Sequence, residues 1–225
     1  MSRDNLKGVL PSTAARATRK LANFLRGRSA EAAGKSGEKS AEWYDQTFED
    51  SPEWSYHYSI SEYYFLWAVI ADRITRAEIG SVMEVGCGSG QLAALLRDKG
   101  LRRYCGLDFS AMRVARAREV CPEFEFVEAN AFTTDLLDTF PYDAVVSTEF
   151  LEHVEEDIEI IRRIRPGRRL LGTVPNFPYV SHVRHFQDIA GVTARYAEYF
   201  SEFRVDAFLA DSERKTFFLI DGVRK

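Results

Sequence analysis

The chain lacks most of what a disulfide, membrane or nucleic-acid protein needs. Its three cysteines (Cys87, Cys105, Cys121) among 225 residues show no C-x-x-C spacing. That excludes a disulfide framework and a cysteine-ligated zinc module, and suits reduced, buried thiols in a cytosolic protein. The longest apolar run, Tyr63–Ala71, is about half of what a bilayer span requires, and no signal-peptide layout is expected at the N-terminus. A basic surplus is also missing. The net charge is −4, and because residues 1–40 hold nine Lys/Arg against three Asp/Glu, residues 41–225 carry −10. An acidic body of that size argues against a large nucleic-acid footprint. What remains, 45% hydrophobic and 28% charged, is the composition of one soluble α/β domain with extensions.

The N-terminal forty residues divide in two. Pro11–Arg28 suits a basic amphipathic helix, with Ser12 or Thr13 as N-cap and Ala14, Ala17, Leu21, Phe24 and Leu25 on one stripe. Residues 29–40 are small, polar and glycine-containing, as a linker is. Such a helix on a tether suits peripheral contact with an anionic membrane, and equally a loose tail or a helix packed on a partner. The reading is therefore an arm over 1–40 and a folded domain over 41–225. The expected location is the cytoplasm, with or without membrane contact.

The most informative stretch is Val82–Gly90, V-M-E-V-G-C-G-S-G. A short apolar strand carries Glu84 and runs into glycines at 86, 88 and 90, around Cys87. Those glycines let the backbone turn sharply and approach a ligand closely. The helix expected over Gln91–Lys99 points its free N–H groups back at the loop. A dinucleotide fingerprint would read G-x-G-x-x-G. Here position 91 is Gln, and an acid before the first glycine suits a cationic ligand better than a pyrophosphate.

Four further stretches follow in order. Tyr104–Asp108 is a second strand, with Asp108 at its tip where a ribose would sit and Phe109 next; Ser110 can cap the helix Ala111–Val120. Phe124–Phe132 alternates and then turns at the small polar pair Asn130-Ala131. Tyr142–Val154 reads Y-D-A-V-V-S-T-E-F-L-E-H-V, and Gly167–Asn176 reads G-R-R-L-L-G-T-V-P-N. Together these resemble the ordered motifs of class I S-adenosylmethionine (SAM) methyltransferases over residues of about 41–225, with Arg168 replacing a usual second glycine.

The resemblance implies a Rossmann-like α/β fold of seven strands, helices on both faces and the last strand antiparallel. It also implies an aromatic N-terminal cap over 41–80, opening W-Y-D and including a helix Ser61–Ala77. The cofactor site would comprise Glu84, Gly86, Cys87, Gly88, Gly90, Asp108, Phe109, Asn130, Ala131 and Glu149. Rings between Trp54 and Tyr58 are candidates for the acceptor pocket.

Transfer from a sulfonium needs mainly orientation of the acceptor and, for a hydroxyl, removal of its proton. Glu149, Glu152 and His153 would share one face if the segment after strand four is helical. With His185, or its neighbour His182, they would complete a divalent site for Mg²⁺ or Mn²⁺. This arrangement resembles the E-x-x-E-H site with a distal His of small-RNA 2′-O-methyltransferases, and the E-x-x-E-H string of ubiquinone-pathway O-methyltransferases. A metal-free reading makes His153 or His185 the base, and a structural reading makes them packing residues. Arg184 could bind an acidic group of the acceptor. The expected acceptor is an oxygen of a sugar, glycan end or phenolic. RNA 2′-O-methylation, N-methylation of a small amine, and an inactive SAM-binding partner subunit stay open.

Overall fold

The computed structural model describes residues 37–210 and 215–225; the amphipathic helix expected over 11–28 and most of the expected linker lie outside them. Seven strands form one sheet: β1 (Ser81–Val85), β2 (Arg103–Asp108), β3 (Glu125–Glu128), β4 (Ala144–Ser147), β5 (Arg169–Pro175), β6 (Phe200–Leu209) and β7 (Thr216–Arg224). Their order is β3-β2-β1-β4-β5-β7-β6. β1 to β5 are parallel, and β7 runs antiparallel between β5 and β6. This is the Rossmann-like α/β sheet expected of the methyltransferase resemblance.

The central strands are apolar because helices cover both faces. All five residues of β1 are buried. Side-chain alternation sends Met83, Val85, Val145 and Ile220 into one core, and Val82, Val146, Leu171 and Leu219 into the other. The first core is closed by Ile160 and Ile161 of α6 (Asp157–Arg163) and by Val192 and Tyr196 of α7 (Ile189–Tyr196). The second is closed by α2 (Tyr64–Arg76), α3 (Gln91–Asp98) and α4 (Ala111–Val120). A one-turn helix, α5 (Leu136–Thr139), sits between β3 and β4. All three cysteines are free and buried. Among the described residues no helix is long and apolar enough to cross a membrane.

Chain direction reverses beside β1, with β2 on one side and β4 on the other. At such a switch point the loops beyond the strand ends part, and open α/β sheets bind ligands there. The N-terminal segment crosses over this crevice. Residues 37–40 are irregular, α1 (Ala41–Asp50) follows, and two short 3₁₀ turns, Pro52–Ser55 and Tyr58–Ile60, lead to α2.

Candidate active site

A cleft at the switch point is lined by Gly86, Leu107, Asp108, Phe109, Arg113, Ala129, Asn130, Ala131, Phe132, Glu149, Phe150, His153 and Val154, and on the N-terminal side by Glu38, Lys39 and Tyr44. It encloses about 690 Å³ of empty space, open solvent included. Its two halves have different chemistry.

The first half is built by β1, β2 and β3. Gly86 turns at φ 77°, and a Cβ there would lie 2.8 Å from the Phe150 ring. Asp108 is almost fully buried, and each carboxylate oxygen accepts one backbone N–H: Oδ2 from Gly88 at 3.0 Å and Oδ1 from Ser110 at 2.9 Å. Each keeps a lone pair for a vicinal diol. Burial pushes the Asp108 carboxyl up, while Arg113 and the backbone donors pull it down. Asn130 Oδ1 accepts from the Phe132 N–H at 2.8 Å, and this turn presents Ala131 as a flat wall.

The remaining glycine-loop residues serve the loop rather than line the cleft. Gly90 caps α3 at φ 79° against Ala117 of α4, and Gly88 donates to Asp108. Cys87 is buried beside Gly106. Glu84 lies behind the loop, 2% exposed, and accepts from the Tyr104 hydroxyl. Burial pushes its carboxyl up to about 8, against the pull of the Tyr104 bond. Glu84, Cys87, Gly88 and Gly90 thus lie behind the cleft wall and shape the loop that carries Gly86.

The second half gathers the candidate chemistry. After β4 the chain kinks at Glu149, whose φ of 51° is rare for a side-chain-bearing residue. Thr173 of β5 holds the kink from both sides: its Oγ1 accepts from the Glu149 N–H at 3.0 Å and donates to Glu149 Oε1 at 3.1 Å. The expected helix is instead a 3₁₀ turn, Leu151–His153. The kink still places Glu149 close enough for its charge to raise the Glu152 carboxyl, after burial, well above the usual range. Glu152 is 0% exposed, with its carboxylate beside that of Glu149 and its Oε1 3.9 Å from His153 Nε2.

His153 Nδ1 lies 3.0 Å from the Ser181 carbonyl and His182 Nδ1 3.1 Å from that of Phe177. A carbonyl only accepts, so both rings hold a proton on Nδ1. Burial, reinforced by His182, depresses His153 to about 3, so it is neutral. Ligating atoms of Glu152, His153 and His182 lie within 4.8 Å of one another, near the ~4 Å spanned by two ligands across one ion. His182 joins Glu152 and His153 in this group, whereas His185 is exposed and lies outside it. Tyr44 meets the His153 ring edge-on, with centroids 6.1 Å apart.

Sequence reasoning did not find Tyr44, Arg113, Lys39 or Thr173 as wall or support. The Arg113 guanidinium lies between the rings of Tyr44 (4.8 Å) and Trp54 (5.1 Å), an aromatic pairing that no local pattern announces. Trp54 stacks near Tyr63 and Tyr58 binds Asp98, so the Trp54–Tyr58 rings brace the cap instead of lining the cleft.

Residues 82–167 match the sequence profile of a family described as "Methyltransferase domain". The matched stretch runs from β1 to the turn before β5. Solved structures agree on the fold. The magnesium protoporphyrin IX methyltransferase from Synechocystis PCC 6803, with S-adenosylhomocysteine (SAH) bound, superposes with a TM-score of 0.57 at 18% identity, covering 71% of this chain and 82% of that one. An O-methyltransferase family protein from Burkholderia thailandensis gives 0.56 at 16% identity, over 80% of this chain and 59% of that one. The [4+2]-cyclase SpnF gives 0.58 at 15% identity, over 71% and 80%. No curated protein matches in sequence. A cyclase on the same fold as methyltransferases means that the reaction has to be argued from the site.

Proposed function

We propose that this methyltransferase domain uses SAM to methylate an oxygen of a small-molecule acceptor, with a divalent ion held beside the acceptor. The observation that carries the reading is the juxtaposition of Asp108 and His153 on the wall of one crevice, with the buried Glu152 and His182 packed behind His153.

Asp108, Gly86, Asn130 and Ala131 fit a nucleoside, with Phe109 and Phe132 as apolar walls. SAM supplies a methyl group already activated on its sulfonium. Glu149 stands between the two halves. Glu152, His153 and His182 are the donors that would hold Mg²⁺ or Mn²⁺, whose charge lowers the pKa of a coordinated hydroxyl. Two imidazoles oriented by backbone carbonyls, with a buried carboxylate beside them, make a fitting donor set. Without an ion, His153 on the cleft wall is placed to take a proton itself. A hydroxyl acceptor is favoured because a neutral amine needs little of this apparatus.

Calorimetric titration with SAH, then with Mn²⁺, tests the reading. SAH binding and a saturable Mn²⁺ site that Glu152→Ala removes are the expected results. SAH binding with no Mn²⁺ site would leave a histidine base and remove the ion, and absence of SAH binding would sink the function.

A further inference from the structure

Arg184 was a candidate for binding an acidic acceptor, but its donors are consumed inside the protein. Its guanidinium donates to the carbonyl oxygens of Leu151 (2.6 Å), Val154 and Glu155 (2.7 Å). These carbonyls flank Glu152 and His153, at the end of a 3₁₀ turn where backbone acceptors lack intrahelical partners. The same side chain sits two residues after His182. Its charge is met by Asp157 at 3.3 Å. Asp157 is fully buried and also accepts from Arg195 at 2.5 and 2.9 Å and from the Tyr196 hydroxyl at 2.6 Å. Arg195 and Tyr196 belong to α7, packed in the sheet's core.

We infer that Arg184, backed by Asp157, is a positioning residue that sets the Glu152–His153 turn against the His182 loop and so fixes the aim of all three donors. The inference rests on the reading of those donors as the chemical centre. Other links there are Val183 N–H to Glu152 O at 2.8 Å, His153 Nδ1 to Ser181 O, and the edge-on contact of the His153 and His182 rings at 4.8 Å. The second holds only while the loops keep their spacing. A guanidinium fork can hold three carbonyls and an acid at once, whereas an ammonium on a flexible stem cannot fix their mutual angle.

The test uses full-length protein with ¹⁵N-labelled histidine, as wild type, Arg184→Met and Arg184→Lys. Nitrogen shifts of the imidazoles report which ring atom carries the proton, and SAH and Mn²⁺ affinities are measured alongside. Wild type should show His153 and His182 protonated on Nδ1. Both variants should lose the single Nδ1-protonated signal of His153 and bind Mn²⁺ about 10- to 100-fold more weakly, the usual cost of losing an outer support, with SAH affinity unchanged. A merely structural Arg184 would lower the melting temperature without moving those signals. Unchanged imidazole signals and Mn²⁺ affinity in the variants would overturn the inference. If Arg184→Met fails to fold, Arg184→Lys decides. Wild type binding SAH but no Mn²⁺ would remove the ion from the proposed function, and the imidazole signals would then decide the inference alone. Wild type binding neither ligand would sink the function itself.

Discussion

Glu84 shows how burial decides what a motif residue does. It occupies a strand position from which a side chain can only point into a packed layer, and there it meets the Tyr104 hydroxyl. With its pKa raised to about 8 against an ordinary value near 4.3, the folded state keeps a proton that the unfolded state has released. Its contribution to stability is therefore full below about pH 4.3 and is lost as pH rises toward 8. Glu84→Gln should lose less stability than wild type between about pH 5 and pH 8, by an amount on the order of a few kcal/mol; thermal unfolding at both pH values measures it, and parallel curves would refute it. Gly90→Ala should destabilise by more than about 1 kcal/mol. A Cβ there would meet the Ala117 backbone at 3.0 Å from a left-handed φ, and a denaturant midpoint equal to wild type would count against that account. The two glycine-loop roles were legible from spacing, but whether a residue faces the ligand or the core was not. His185 and His182 differ by three positions in one loop, and only the path of that loop, held by Glu152 and Ser181 contacts, separates them.

At the scale of elements, the strands and helices around the sheet could be read because their signals are local. β1 is an apolar run ending in glycines, and α4 spans Ala111–Val120 behind the Ser110 cap, whose hydroxyl accepts from the Arg113 N–H. The turn after β4 was not legible. Its direction comes from Thr173, twenty-four residues away, so a helix was expected where a kink occurs. α1 is a similar case, because what seats it is Asp45. One carboxylate oxygen accepts from the Ser110 hydroxyl at 2.5 Å and the Met112 N–H at 3.3 Å, tying the cap to the N-terminus of α4. Asp45→Ala should loosen α1, speed proteolytic cleavage within residues 41–50, and weaken SAH binding by ~1 kcal/mol. Cleavage at the wild-type rate would show that the aromatic contacts hold the cap without it.

For the whole molecule, chain that composition reads as linker takes part in the cleft. The expected linker extends to residue 40, yet Glu38 and Lys39 line the cleft, and Gly37 donates its N–H to Val180. A chain starting at Gly37 should therefore bind SAH as the full chain does, whereas one starting at Pro52, stripped of Tyr44 and α1, should bind more weakly while keeping its sheet. Calorimetry and circular dichroism on the two truncations check this, and equal affinity would show that α1 is no part of the cofactor site.

The strand order has a consequence for synthesis on the ribosome. β7 comes after β6 in the chain but lies inside the sheet, pairing β5 over Arg169–Pro175 and β6 over Phe200–Leu209. Until β7 emerges, β5 offers a bare edge and β6 has no neighbour. A nascent chain therefore passes through a stage with an apolar edge open to other chains. Protection of that edge, by a chaperone or by fast release, is what this topology asks of the cell that makes it.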